Sequence, residues 1–214
     1  MTIQADISTE TLAAAAVDIG RLALQFGRID RTACWHPDGQ MRESDSDHTV
    51  MQGWIAPALA DRLYPGVLDV GLVAQFALVH DMPEVYAGDT STLRIDAAGQ
   101  RAKAAREHAA AERLDDEFGH RLPWVVIMVR WYERQEAPEA RFVRAVDKIL
   151  PKIVHLLDGA KGLLEEGVTV AELRDVFDRQ AVTMAGYAGE FTALLDLRAE
   201  LVSQVIALLG RVAG

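Results

Sequence analysis

The sequence predicts an all-α fold, a single helical domain over residues 1–214, and three observations predict it. Apolar residues recur at spacings of three and four through most of the chain, the mark of helices that bury one face. No stretch alternates convincingly with a period of two, so strands are not required. Composition agrees: 214 residues, 50% apolar and 25% charged, describe a water-facing globular chain long enough to bury a core.

Leu12, Ala16, Ile19, Ala23 and Phe26 form one stripe, with Ser8 or Thr9 as N-cap, and predict a first helix over about 9–27. Residues 28–46 lose the period and contain Pro37, Asp38 and Gly39, so a long loop is expected there. Val50/Met51, Trp54/Ile55, Ala58/Leu59 and Leu63 restore a helix with His48 in its first turn. Tyr64-Pro65-Gly66 closes that helix, and an apolar helix resumes from Val70 to Val79. Residues 83–100, with Gly88, Asp89, Thr90, Ser91 and Gly99, read as a second long loop that opens on a short helical turn. The run to Phe118 is rich in strong helix formers of mixed charge and predicts a long, largely exposed helix over 100–118. Pro123 and Pro138 each suit a first helical turn, giving helices through Glu136 and Leu157. A loop over 158–168 and helices over about 170–187 and 190–212 complete the chain.

Charge and cysteine usage narrow the function classes. With 22 Lys+Arg against 32 Asp+Glu the formal charge is -10, which opposes a nucleic-acid polymer or an anionic membrane surface as partner. A small anionic substrate stays open, because one metal ion reverses the local field. Cys34 is the only cysteine, so neither an intrachain disulfide nor a thiolate zinc cluster can form. The opening MTIQADISTE carries acids where a signal peptide carries a basic region, and Leu63–Val79 is broken by Pro65, Gly66, Asp69 and Gln75, so a cytoplasmic location is expected. Walker, GxGxxG and GxSxG motifs are absent, which leaves kinase, Rossmann and serine-hydrolase readings without support.

The residues that carry chemistry lie on the helices. Over 138–157, Phe142, Val146, Ile149, Ile153 and Leu156 form one stripe, and Val143, Asp147, Leu150, Val154 and Leu157 a second. Asp147 interrupts an apolar face, and a buried carboxylate must be paired, protonated or bound to a metal. An ion pair with Arg144 or with a neighbouring helix is the plain alternative. His80-Asp81 ends the run Val70–Val79, and both side chains reach one ion only beyond the helix end, where Pro83 favours a kink or break. His48 adds a second imidazole. Two imidazoles and two carboxylates from three helices suit a divalent first-row metal with open positions for water and a substrate oxygen.

The set His48, His80, Asp81 and Asp147 resembles the H…HD…D pattern of the HD-domain phosphohydrolase superfamily. HDMPEVYAGD at 80–89 is similar to the HDxxExxxGD stretch of its YfbR-like 5′-deoxynucleotidase branch, RESDSDHT at 42–49 to the approach to the first histidine, and AVDK at 145–148 to the final ADK. Matching pieces run from about 20 to 160, while the last fifty residues match no motif. The resemblance implies an HD-domain helical bundle, one divalent cation (Mn, Co, Mg, Fe or Zn) held by His48, His80, Asp81 and Asp147, and hydrolysis of a nucleotide phosphoester. It implies that Glu84 positions or deprotonates the attacking water or protonates the leaving alkoxide, and that Asp89 accepts a hydrogen bond from the nucleoside 3′-hydroxyl. In that branch an adjacent Arg-Trp pair contacts nucleotide, whereas Arg31 and Trp35 are separated by three residues here. Arg42, Lys148 and Lys152 are further candidate phosphate contacts. His108 and His120 fall where dinuclear relatives carry extra ligands, but His108 sits in a charged helix, so one metal is expected.

The expected activity is therefore removal of phosphate from a small nucleotide, a 5′-(deoxy)nucleoside monophosphate. A deoxynucleoside triphosphate triphosphohydrolase, an HD-fold oxygenase and a non-catalytic metal- or nucleotide-binding helical protein are the rivals. The apolar segment 193–209 suits either a core or a homodimer interface.

Overall fold

Helical periodicity becomes helices almost throughout. The computed structural model describes residues 7–90 and 94–213, and the part of loop 83–100 at 91–93 lies outside the described residues. α1 (Thr9–Phe26) starts at its N-cap Ser8, whose Oγ accepts from the Thr11 amide at 3.1 Å, and buries Ala15, Leu22 and Phe26. α2 (Asp45–Leu63) and α3 (Val70–Val79) pack side by side. α3 is apolar nearly all round, and its Val73, Phe76, Ala77 and Val79 lie at the centre of the core. α4 (Glu84–Ala87) is the expected short turn, and α5 (Ala97–Phe118) and α6 (Pro123–Arg134) follow.

Three departures from the sequence expectation shape the site. The loop expected over 28–46 contains an antiparallel hairpin of β1 (Asp30–Trp35) and β2 (Arg42–Ser44), with Asp30 opposite Ser44, Trp35 opposite Arg42 and an irregularity between. Ala33 sits there at φ +63, which breaks the alternation that would have revealed a strand. Second, the helix expected over 138–157 is two helices, α7 (Pro138–Asp147) and α8 (Leu150–Leu157). Pro151 is the cause: it has no N–H to donate, and its ring conflicts with the carbonyl four residues back, that of Asp147. The second stripe is accordingly re-aimed, and its last member Leu157 is exposed. Third, residues 158–168 contain the short helix α9 (Lys161–Glu165). Pro57 lies inside α2 without ending it, and the helix forgoes one backbone hydrogen bond there.

The core orients α7. Tyr64, Phe142 and Phe191 meet edge to face with centroids 5.2–5.7 Å apart, tying α7 to the end of α2 and the start of α11 (Thr192–Val212). A second cluster joins Leu163 of α9 and Leu173 and Phe177 of α10 (Val170–Ala188) to Val205 and Leu209 of α11, so one face of the apolar C-terminal helix is used within the chain. No helix among the described residues is long and apolar enough to cross a membrane.

Candidate metal centre

Local chain geometry sets each member of the centre. Ser44 caps α2 reciprocally: its Oγ accepts from the Asp47 amide (3.2 Å), while Asp47 Oδ2 accepts from the Ser44 amide (2.9 Å). That fixes the first turn of α2, in which His48 is fully buried. α3 ends at Val79, so His80 and Asp81 stand just beyond it, and the Glu84 amide donates to the Asp81 carbonyl (2.8 Å) at the start of α4. Asp147 is the last residue of α7. One ligand atom from each of His48, His80, Asp81 and Asp147 can be chosen so that all four lie within 4.8 Å of one another.

Both imidazoles are oriented from behind. His80 Nδ1 faces the Ala77 carbonyl at 2.9 Å and His48 Nδ1 faces Glu43 Oε1 at 3.2 Å. Carbonyl and carboxylate oxygens accept only, so each Nδ1 donates and each Nε2 faces the cluster. His48 Nε2 lies 3.0 Å from Asp147 Oδ1, and burial, which opposes the imidazolium, is outweighed by the hydrogen bonds to Asp147 and Glu43, raising its pKa to about 9. His80 Nε2 is buried and makes no hydrogen bond, although Asp81 Oδ2 is 3.1 Å away. An orphaned buried nitrogen aimed at two carboxylates and a second imidazole fits a divalent cation held by His48, His80, Asp81 and Asp147. Arg144 is not the partner of Asp147: it covers the Tyr187 ring, while Lys148 Nζ donates to Asp147 Oδ2 at 2.7 Å. Burial opposes ionisation of Asp147, yet Lys148 and His48 hold its carboxyl well below the usual range.

A cavity of about 460 Å³ opens from the cluster. Arg31, reaching in from β1, donates to Asp81 Oδ2 (3.1 Å) and Asp45 Oδ1 (3.3 Å) and lies 3.9 Å from Glu84 Oε2 and 4.0 Å from Glu43 Oε2. Glu84 is buried; its Oε1 accepts from Lys103 Nζ of α5 at 3.2 Å, and its Oε2 has no hydrogen-bond partner. Burial and then the Asp81 charge push the Glu84 carboxyl up to about 9, against the pull of Lys103. Asp89 lines the same cavity and accepts from the Thr32 amide (3.2 Å), which joins the Gly88-Asp89 turn to the hairpin.

Of the sequence-predicted residues, the structure gathers His48, His80, Asp81, Asp147, Glu84, Asp89, Arg31, Lys148 and Lys152 around this cavity. Trp35 and Arg42 do not line it: Arg42 stacks on the Trp35 ring at 4.7 Å and Lys161 Nζ at 3.7 Å, and the indole serves packing there. His108 is exposed beside Glu112, and His120 is also exposed. Sequence reading missed the supporting groups Glu43, Asp45 and Lys103. Only the cap signature Ser44-x-x-Asp47 was there to place the first two, and nothing local marks Lys103.

The family model of the HD domain matches residues 27–185. The chain belongs to the HD-domain family. The matched span holds the four cluster residues together with Arg31, Glu84 and Asp89, while α11 lies outside it. This HD-domain chain is similar to a crystal structure described as a predicted metal-dependent phosphohydrolase from Magnetospirillum magnetotacticum, at 24% identity and a TM-score of 0.72, over 92% of this chain and 97% of that one. It is also similar to a conserved hypothetical protein from Pyrococcus furiosus (26% identity, TM-score 0.51, covering 76% of this chain and 97% of that one). A protein from Pyrococcus horikoshii matches at 24% identity and a TM-score of 0.53, over 86% and 99% of the two chains. These likenesses bear on the helical fold. No curated protein matches the chain.

Proposed function

We propose that this HD-domain protein is a metal-dependent phosphohydrolase that removes phosphate from small nucleotides, 5′-(deoxy)nucleoside monophosphates. The observation that carries the reading is the His48, His80, Asp81 and Asp147 cluster opening into a cavity whose wall holds the buried carboxyl of Glu84. A divalent cation there supplies Lewis acidity toward a phosphoryl oxygen and toward the attacking water. Glu84, with one oxygen anchored by Lys103 and the other unbonded, moves a proton at Oε2. Arg31 holds Asp81 and Asp45 in place, and Lys148 on the cavity wall contacts phosphate oxygens. Asp89 lines the cavity, and the resemblance of residues 80–89 to the 5′-deoxynucleotidase branch supports its accepting a hydrogen bond from the 3′-hydroxyl.

Glu84→Ala tests the reading. The variant keeps metal content and nucleotide affinity, while kcat falls about 10²–10⁴-fold, the usual contribution of a general acid–base group. Turnover near the wild-type rate would return Glu84 to a structural role. Asp89→Asn changes the ratio of kcat/KM between deoxy- and ribonucleotides and leaves metal content alone; an unchanged ratio limits Asp89 to its bond with Thr32. Triphosphate release is the second reading, favoured by Arg144 and Lys148 on the same wall, and identification of the product as inorganic phosphate or tripolyphosphate separates the two.

A further inference from the structure

One part of the cavity lining comes from two helices that carry no member of the metal cluster. α8 contributes Lys152 and His155, three residues apart and so on one face, and α10 contributes Phe177 and Gln180 with the same spacing. Lys152 is 1% exposed, a lysine taken almost wholly out of water. Its Nζ donates to Gln180 Oε1 (2.6 Å) and lies 4.5 Å from the Phe177 ring centre, and among the described residues no carboxylate comes within 4.0 Å of it. Burial and then the Arg198 and Lys148 charges hold its pKa well below the ordinary lysine value, and the more weakly acting Asp147 carboxylate only partly offsets them. Arg198, 5% exposed, donates to the Phe177 carbonyl at 2.6 Å and likewise lacks a carboxylate within 4.0 Å among the described residues, while Lys148 donates to Asp147. His155 Nδ1 is buried without a hydrogen-bond partner.

Buried cations are ordinarily paired, because an unpaired one forfeits its hydration with nothing in return. Here Lys152 has no carboxylate within 4.0 Å among the described residues, beside a cavity large enough for a ligand, and Lys152, His155 and Gln180 each bring an N–H to its lining. We propose that Lys152, His155 and Gln180 form a second anion subsite, which holds a carboxylate or phosphate carried by the substrate apart from the phosphate at the metal centre. The inference rests on the phosphohydrolase reading for the reaction and departs from the plain monophosphate for the substrate: it requires a phosphoester that carries a second anionic group. An arriving anion favours the ammonium that burial, Arg198 and Lys148 disfavour, so Lys152 supplies the charge once the subsite is filled, and Gln180 fixes its direction and offers an amide N–H. His155, whose pKa burial and then the Lys152 charge push down to about 3, stays neutral and gives one N–H without adding charge. Filling the subsite returns to Lys152 the counter-charge that the protein itself withholds.

Equilibrium dialysis of the full chain against radiolabelled inorganic phosphate tests the subsite directly. Lys152→Met keeps the length and apolar stem of the side chain, and Gln180→Leu, on the half-buried face of α10, is a second variant whose folding does not depend on burying a new charge. The wild type binds one phosphate more per chain than Lys152→Met, and Gln180→Leu weakens that extra site about tenfold or more, as the loss of bonds to a charged group requires. A metal centre that binds no phosphate removes a site common to all three proteins and leaves the difference between them. Equal stoichiometry in wild type and Lys152→Met overturns the proposal. The substrate assignment is read from esters matched except for a second anionic group, a 5′-monophosphate against the 3′,5′-bisphosphate and the 5′-triphosphate. For at least one pair the kcat/KM preference falls about ten- to a hundredfold in Lys152→Met. A dialysis difference with no change in any preference would overturn the substrate assignment and give the subsite to free phosphate.

Discussion

Arg31 stands within 4.0 Å of Glu43, Asp45, Asp81 and Glu84, and one guanidinium cannot neutralise four carboxylates. The consequence is clearest at Asp45, which is fully buried with Oδ2 unbonded. Burial drives its carboxyl up from 3.8 to about 7 against the pull of Arg31. A carboxyl whose folded value lies above its unfolded value stabilises the fold only while protonated. The contribution is complete below about pH 3.8 and is lost as the pH rises to about 7. Asp45→Asn keeps the shape without titrating, so its melting temperature gains on that of the wild type between pH 5 and pH 8; parallel curves across that range would show Asp45 ionised throughout. Asp81→Ala and Asp147→Ala act on the cluster itself. Each lowers bound metal, measured by elemental analysis of the purified protein, and each abolishes hydrolysis. Stoichiometric metal in both would remove those carboxylates from the ligand set.

At the scale of elements, the hairpin that delivers Arg31 is held by a close approach. A Cβ on Gly162 of α9 would stand 1.9 Å from the Ala33 carbonyl oxygen, a backbone atom that cannot swing aside. Gly162→Ala therefore forces α9 and β1 apart and costs about 1–3 kcal/mol or more in urea unfolding. A variant as stable as the wild type would mean that the hairpin shifts freely and that Arg31 is not rigidly placed. The same elements show which parts of the site were legible in the sequence. His48, His80, Asp81 and Asp147 were legible because few residue types ligate metals and because a carboxylate on an apolar stripe is conspicuous. The hairpin was not, since strands of six and three residues with an irregularity between them show no period of two. Pro151 was a readable break in 138–157, but the strong apolar stripes on either side masked it. Arg31 showed its type but not its partners, which come from β2, α2, α4 and the turn after α3 and meet only in the folded chain.

Across the whole molecule, the cluster joins parts that the chain separates: His48 and Asp147 are 99 residues apart and come from α2 and α7, and His80-Asp81 links α3 to α4. Without a cation these contacts concentrate two carboxylates, with Glu84 and Asp45 close by, in a chain already at a formal charge of -10. Arg31, Lys103 and Lys148 surround the same groups, and Glu84 and Asp45 answer the crowding by holding on to protons, with values of about 9 and about 7. A cation binds this arrangement in the folded state and has no equivalent site in the unfolded chain, so its binding free energy adds to folding stability. With free metal at a hundredfold over Kd the contribution is about 2.7 kcal/mol. For a chain of this size that corresponds to roughly 5–10 °C in melting temperature. Chelation, with metal loss verified by elemental analysis, should lower Tm by that amount, and re-addition of Mn, Co, Mg, Fe or Zn should restore it in the order of affinity. Asp147→Ala supplies the control, because a variant without the site has little to lose: its Tm stays nearly constant on chelation. A wild-type Tm indifferent to metal removal would mean that Arg31, Lys148 and the protonated His48 already satisfy the carboxylates, leaving the cluster a hydrogen-bonded polar core rather than a binding site.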